Sequence, residues 1–196
     1  MATEEGYESA VTAPEKAKVV LDPAITPELR ESLKAVIFDF DLTILQIHSF
    51  GEGIVPEAIA VRHWEADFAS YDEFTKLCRE LVDNGIHVGV ASFGRKAVIK
   101  TYLELAFQED MAKIFPDKAI CTPADLGGED GTPLPDGKNS QLAWLETKLG
   151  LKPEERSKVL FFDGEPCSFA RGRAPGGPLQ CSDTPAAGRL QMVVPG

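Results

Sequence analysis

Two carboxylates stand close together directly after a short apolar segment. The segment is Ala35–Phe38, and Asp39 and Asp41 follow it, with Thr43 two residues further on. Carboxylates this close repel each other, and the pair offers no evident structural gain that would offset the repulsion. Carboxylates can instead attack as nucleophiles or exchange protons with a substrate. The pair therefore indicates a functional site more than a turn.

Two further apolar segments also end in a polar residue. Ser92 follows Val88–Ala91, and Asp163 follows Val159–Phe162. Taken alone, Ser92 and Asp163 are also typical of a turn or a helix cap, and Lys138 is typical of a solvated surface. In an open parallel sheet, however, the carboxyl ends of the strands line one crevice, where ligands bind. Together these positions predict a single site at that edge.

The apolar segments are predicted to be strands of a parallel sheet, because short runs of this kind suit strands buried on both faces. The predicted strands are Ala35–Phe38, Ile86–Ser92, Lys118–Cys121 and Lys158–Asp163, with Gln191–Val194 as the best candidate near the C-terminus. Helical segments separate them, which is typical of βαβ units. We therefore expect an α/β protein with a doubly wound, Rossmann-like parallel sheet and helices on both faces.

Local signals mark where the helices begin and end. Thr26 followed by Pro27 is typical of a cap and a first helical residue. Ser70 and Glu73 match the capping box, and the apolar residues after them recur on one helix face. The other predicted helices are Pro56–Phe68, Lys96–Met111 and Asn139–Leu149, and Asp125–Gly137 is predicted to be a loop.

The composition is ordinary for one folded domain and argues against several classes of protein. The chain has 196 residues, of which 43% are hydrophobic and 26% are charged. Its formal net charge of −11 disfavours nucleic-acid binding, because phosphate contacts need a basic surface. No apolar run is long enough to span a bilayer, and the acidic N-terminus does not resemble a signal peptide. We expect no membrane association.

The four cysteines favour a reducing compartment. Cys78, Cys121, Cys167 and Cys181 lie far apart and form no CxxC pair. Free thiols are therefore expected in preference to disulfides or a zinc site, and the expected location is cytoplasmic.

The chain divides into three regions by pattern. Residues 1–25 show little periodicity and are expected to be a loosely ordered lead-in, and residues 26–163 form the predicted domain. Residues 164–196 are rich in glycine and proline and are expected to be an irregular tail. A doubly wound domain would ordinarily continue here with a helix and a strand. The tail is therefore interpreted as an extension of the domain or as sequence that does not belong to the fold, and the C-terminal part of the sheet is expected to be incomplete.

The candidate residues occur in the order and spacing of a known family. Asp39–Thr43, after its apolar strand, resembles the first motif of the haloacid dehalogenase (HAD) superfamily of phosphohydrolases with an aspartate nucleophile. Val88–Ser92 resembles the second motif, and Lys138 lies where the third contributes a lysine. Val159–Asp163 resembles the start of the fourth. The resemblance covers residues 34–163 and implies hydrolysis of phosphate monoesters.

The resemblance implies a role for each motif residue. Asp39 would be the nucleophile that forms an aspartyl-phosphate, and Asp41 would act as the acid and then the base. Thr43 would position these groups by hydrogen bonds. Ser92 and Lys138 would bind the phosphoryl oxygens, where positioning and electrostatics supply most of the catalysis.

The resemblance also implies a bound Mg²⁺. Its protein ligands would be the Asp39 carboxylate, the Asp41 backbone carbonyl and Asp163. A cation would offset the repulsion between these aspartates and a dianionic phosphate, and Mg²⁺ suits a site of few carboxylates and several waters.

The fourth motif departs from the family pattern, which has a second acidic residue near the first. Asp163 is followed by Gly164, Glu165 and Pro166, and Glu165 is the candidate for that second residue. Two alternatives therefore stay open: a catalytically impaired HAD-like binding or scaffold protein, and a phosphotransferase on the same fold.

The spacing of the motifs leaves no room for an inserted cap domain. Only 48 residues lie between Thr43 and Ser92, and two helices and loops fill that interval. A folded cap would need about 50 more. An open site is therefore expected, as in capless members of the family. The expected substrate is a phosphorylated small molecule or a phosphoprotein, and the sequence does not indicate the oligomeric state.

Overall fold

The computed structural model describes residues 26–164 and the backbone of residues 191–193. The predicted lead-in of residues 1–25 lies outside the described residues. So does most of the predicted tail, including Glu165, Cys167 and Cys181. The predictions made for those positions remain predictions.

Four parallel strands form the sheet, in the order β3-β2-β1-β4. They are β1 (Ala35–Phe38), β2 (His87–Ala91), β3 (Ile120–Cys121) and β4 (Val159–Asp163). A further strand, β5 (Gln191–Val193), pairs antiparallel with β4. The chain runs outward from β1 to β3 and then returns to the other side of β1, so the order reverses between β1 and β4. The predicted α/β fold with a parallel sheet is confirmed.

The helices are α1 (Pro27–Ser32), α2 (Pro56–Ile59), α3 (Tyr71–Asp83), α4 (Lys96–Phe107), α5 (Met111–Ile114) and α6 (Lys138–Leu149). Within residues 26–164, five short 3-10 helices lie among them, at residues 64–67, 108–110, 117–119, 123–126 and 153–158. No helix in residues 26–164 combines the length and the apolar character needed to cross a bilayer.

Alternate side chains of the strands enter two separate apolar clusters. Val36 and Phe38 of β1 pack in a cluster with α3, α4 and α5. Ala35 and Ile37 of the same strand pack in a second cluster with α6. Because successive side chains of a strand point to opposite faces, the two clusters lie on opposite faces of the sheet. Helices therefore cover both faces, and β1 is buried along its whole length.

Two predicted helices are shorter than their sequence patterns indicate. Within Pro56–Phe68 only α2 and a 3-10 turn form, and the buried Asp67 carboxylate accepts hydrogen bonds from the Tyr102 hydroxyl at 2.5 Å and from Arg62 at 2.8 Å. Bringing Asp67 to these partners competes with a continuous helix. Helix α4 ends at Phe107, because Gln108 has a φ of 48°, outside the helical region.

Of the two predicted helix caps, the one at Thr26 forms as expected and the one at Ser70 does not. The Leu29 N–H donates to Thr26 Oγ1 at 3.3 Å, as predicted for α1. The predicted capping box at Ser70 lacks its usual bond, since the Ser70 hydroxyl donates to the Glu73 carboxylate and accepts no backbone N–H of α3. A full capping box forms instead between Thr122 and Asp125.

Both cysteines within the described residues are free and buried, as expected. Cys78 lies in α3 and Cys121 ends β3, and neither side chain is exposed to solvent. Burial raises the pKa of both thiols, to about 12 for Cys121, because a thiolate would lose its hydration. Neither thiol is placed to be reactive at neutral pH.

We therefore expect iodoacetamide at pH 8 to leave Cys78 and Cys121 unlabelled in the native protein and to label both in denaturant. Mass spectrometry of the peptides that contain each cysteine measures this. Rapid labelling of either residue without denaturant would contradict the packing of α3 or β3.

Candidate functional site

The carboxyl ends of β1 and β4 bring two aspartates next to each other. The register pairs Phe38 with Phe162, and the Asp39 N–H continues the ladder by donating to the Phe162 carbonyl at 2.8 Å. The residues that follow this pair are Asp39 and Asp163. They therefore lie where the strand order reverses, which is the position that binds ligands in open α/β sheets.

A lysine from α6 reaches the first of these aspartates. Lys138 is the first residue of the helix, and its Nζ donates to Asp39 Oδ1 at 2.5 Å and to the Ala91 carbonyl at 2.6 Å. The Phe93 ring lies on the same ammonium group, with its centroid 4.4 Å from Nζ. Lys138 and Asp39 are only 6% and 8% exposed. The lysine thus joins the carboxyl ends of β1 and β2 to α6.

The surroundings of Asp39 act on the pKa of its carboxyl in opposite directions. Burial raises the pKa of the Asp39 carboxyl above its ordinary value, and the neighbouring Asp163 raises it further. The Lys138 ammonium and a hydrogen bond from the Phe40 backbone lower that pKa without cancelling the effect of burial. An added cation between Asp39 and Asp163 would relieve their repulsion.

The second predicted carboxylate, Asp41, is fixed by residues that the sequence did not single out. The Ser49 hydroxyl donates to Asp41 Oδ1 at 2.6 Å, and the Phe50 N–H donates to Oδ2 at 3.1 Å. His48 Nδ1 lies 3.2 Å from the same oxygen, but it accepts the Gly51 N–H at 2.9 Å and cannot at the same time donate to Asp41. Ser49 and Phe50 therefore provide the hydrogen bonds.

Thr43 joins the loop after β1 to the residue after β4. Its Oγ1 accepts the Gly164 N–H at 2.6 Å. Gly164 also packs so closely on this loop that an added Cβ would overlap the Leu42 carbonyl oxygen. Because that obstacle is backbone, a side chain at position 164 would displace the loop that carries Asp41. Thr43 thus binds a neighbouring strand end, next to Asp163.

Ser92 lies directly after β2 and is buried. Its Oγ accepts the Gly94 N–H at 3.0 Å, which is typical of a serine that stabilises a turn. It follows Ala91, whose carbonyl binds Lys138. The structure thus places Ser92 one residue from a Lys138 contact, and its role toward a phosphoryl group stays a prediction.

Gln141 is a further site residue that the sequence analysis missed. Its Nε2 donates to the carbonyls of Ser92 at 2.6 Å and Cys121 at 3.0 Å, and the residue is fully buried. It lies one helical turn after Lys138, on the same face of α6 as the apolar residues. A lysine and a glutamine on an otherwise apolar helix face were the sequence signal that could have found this contact.

The implied Mg²⁺ ligands form a set of oxygen donors. In residues 26–164 no group of three or more His, Cys, Asp or Glu side chains is arranged to hold a metal. The implied set is smaller, with the Asp39 and Asp163 carboxylates and the Asp41 carbonyl, and Mg²⁺ typically binds one or two carboxylates and keeps several waters. The repulsion between Asp39 and Asp163 also favours a cation between them. The donor chemistry therefore fits Mg²⁺.

Comparisons of this chain with protein-family models, with characterised proteins and with solved structures find no match. A fold of this class hosts many unrelated functions, so the fold alone assigns none to this chain.

The buried pair of Lys138 and Asp39 makes a stability prediction. Lys138→Met leaves a buried carboxylate without its cation, and we expect the free energy of unfolding at pH 7 to fall by about 3–5 kcal/mol. Without the lysine, the pKa of Asp39 in the folded state rises further above its unfolded value. The folded state then binds a proton more readily than the unfolded state, so this deficit shrinks as the pH falls toward 5.

Urea unfolding of the parent and the variant across this pH range measures both effects. The double variant Asp39→Asn/Lys138→Met removes both charges and should recover most of the lost stability at pH 7. A deficit that stays constant with pH, or that the double variant does not relieve, would contradict the pairing.

Proposed function

We propose that this chain is a phosphatase that hydrolyses phosphate monoesters through an aspartyl-phosphate on Asp39. The observation that carries the proposal is the buried Asp39 carboxylate, bound by Lys138 and adjacent to Asp163 where the strand order reverses. The resemblance of the motifs to the HAD superfamily supports the same assignment. A nucleophilic carboxylate, a lysine and a second carboxylate together suit phosphoryl transfer.

In the first half of the reaction an oxygen of the Asp39 carboxylate attacks the phosphorus atom. The bond between phosphorus and the leaving oxygen breaks, and the Asp41 carboxyl donates a proton to that oxygen. Lys138 supplies positive charge beside the nucleophile, where it can bind a phosphoryl oxygen that arrives there. Ser92, close to the lysine, is assigned to a second phosphoryl oxygen.

In the second half a water molecule attacks the phosphorus atom of the aspartyl-phosphate. The Asp41 carboxylate takes the proton of that water, and the bond between phosphorus and Asp39 breaks. Inorganic phosphate leaves, and both aspartates return to their starting forms. Dividing one difficult displacement into two easier ones is the advantage of a covalent intermediate.

The Asp39 and Asp163 carboxylates and the Asp41 carbonyl are assigned to Mg²⁺. When bound, Mg²⁺ supplies positive charge that offsets the repulsion between the aspartates and the phosphate dianion.

The short interval between β1 and β2 agrees with the expectation that no cap domain covers the site and that a substrate can extend beyond the phosphate. Between β1 and β2 the chain forms a loop, α2, a 3-10 turn and α3, and the described residues hold no additional folded unit in that interval. Both a phosphorylated small molecule and a phosphorylated side chain of a protein fit such a site.

We expect the protein to release phosphate from p-nitrophenyl phosphate in the presence of Mg²⁺, to stop when EDTA is added and to resume when Mg²⁺ is restored. Asp39→Asn removes the nucleophile and should lower kcat by about 10³-fold or more. Absorbance of p-nitrophenol measures the rate. Asp83→Asn is the matched control, because Asp83 is an exposed aspartate paired with Lys113 away from the strand ends.

An Asp39→Asn variant that keeps the parental rate would contradict the assignment. A phosphoryl-acceptor screen in the same assay separates hydrolysis from the phosphotransferase alternative, because transfer yields a phosphorylated acceptor in place of inorganic phosphate. Absence of turnover together with calorimetric binding of beryllofluoride would instead favour the binding-protein alternative.

A further inference from the structure

The segment from His48 to Ile54 is a compact turn that is stabilised by hydrogen bonds within its own main chain. The Glu52 N–H donates to the His48 carbonyl at 2.9 Å, and the Ile54 N–H donates to the Ser49 carbonyl at 3.0 Å. Ser49 and Phe50 of this turn hold the two oxygens of Asp41. The location of the Asp41 carboxylate therefore depends on the location of the turn.

The Phe50 side chain anchors the turn between two other loops. The Arg95 guanidinium lies over the ring, 5.0 Å from its centroid, and the same side chain donates to the Ile54 carbonyl at 3.2 Å. The tip of the ring, at Cζ and Cε2, lies against Gly131, where an added Cβ would overlap it. Gly131 has a φ of +87°, a conformation that suits glycine.

Gly131 is itself held in place by its surroundings. Its N–H donates to the Phe93 carbonyl at 2.5 Å. The preceding residue, Asp130, accepts the backbone N–H groups of Lys96 at 3.1 Å and Ala124 at 3.2 Å through its two carboxylate oxygens. The surface on which Phe50 rests is thus fixed to the start of α4 and to the turn after β3.

We propose that Phe50 is a positioning residue for Asp41, and that the contacts of Phe50 with Arg95 and Gly131 set the place from which Asp41 exchanges protons with the substrate. The inference rests on the proposed function for its kinetic consequence. The contact itself is the Phe50 N–H on Asp41 Oδ2, with Arg95 over the ring and Gly131 at its tip.

The proposal predicts a specific kinetic defect, because a misplaced acid harms only reactions that need its proton. A 2,4-dinitrophenolate leaves readily without protonation, whereas phenolate from phenyl phosphate leaves slowly without it. For Phe50→Ala, Arg95→Ala and Gly131→Ala we expect kcat/KM with phenyl phosphate to fall by about 10-fold or more. We expect kcat/KM with 2,4-dinitrophenyl phosphate to change by less than about threefold.

Three reference variants serve as comparisons for the leaving-group effect. Asp41→Asn should show the same selectivity at larger amplitude, and Asp41→Asn/Phe50→Ala should be no more selective than Asp41→Asn, because the two residues act as one unit. Arg79→Ala is the matched control, since it removes a similar stack of an arginine on Phe107 at 5.4 Å elsewhere in the fold. It should leave the ratio of the two substrates unchanged.

Hydrogen exchange of the Phe50 amide tests the same contact without turnover. Arg95→Ala should raise that exchange rate by about 10-fold or more, and Arg79→Ala should not alter it. Circular dichroism checks the folding of each variant, and Arg95→Ala decides the matter if Phe50→Ala or Gly131→Ala does not fold.

The outcomes separate this inference from the proposed function. If the parent hydrolyses both esters and the variants lose activity equally on both, the positioning role is overturned. If the parent hydrolyses neither ester, the proposed function fails and the exchange rate alone decides the positioning. An Arg95→Ala variant with unchanged exchange at Phe50 overturns the inference in either case.

Discussion

A lysine and an aspartate can both be buried as charged groups only when they pair with each other. In this protein the pair of Lys138 and Asp39 constrains the positions of α6 and of the strands around it. Lys138 reaches Asp39 only if α6 begins at the level of the strand ends, and its second hydrogen bond, to Ala91, ties β2 to the same group. Gln141 fixes the helix one turn further along, on the carbonyls that follow β2 and end β3. Breaking the pair would leave an uncompensated charge, so the register of these elements is set by electrostatics as well as by packing.

The sheet and its edge were predictable because their signals are local. A short apolar run such as Ala35–Phe38 is typical of a strand buried on both faces, and a polar residue directly after such a strand lies at its carboxyl end. Parallel pairing then brings Asp39 and Asp163 together, as expected from the sequence. The reversal of strand order between β1 and β4 was implied by the doubly wound fold, although no single residue indicated it.

The parts that the sequence analysis missed depend on contacts between residues far apart in the chain. The turn at Ser49 and Phe50 holds Asp41 because Arg95 and Gly131 fix it, and no periodicity links positions 50, 95 and 131. The break after α2 likewise depends on Asp67 meeting Tyr102, 35 residues away. Helix propensity alone favoured a longer helix there, and tertiary contacts prevailed.

The short strand β3 affects how readily the sheet can pair with the sheet of a second copy of the protein. In the described part of the sheet it forms the edge beyond β2 with only two residues, Ile120 and Cys121, before the capping box at Thr122 turns the chain away. An exposed edge strand offers unpaired main-chain groups to which a second chain can add, and a brief edge offers few of them. The abrupt end of β3 therefore protects the protein against edge-to-edge aggregation, a protection that a longer strand would weaken.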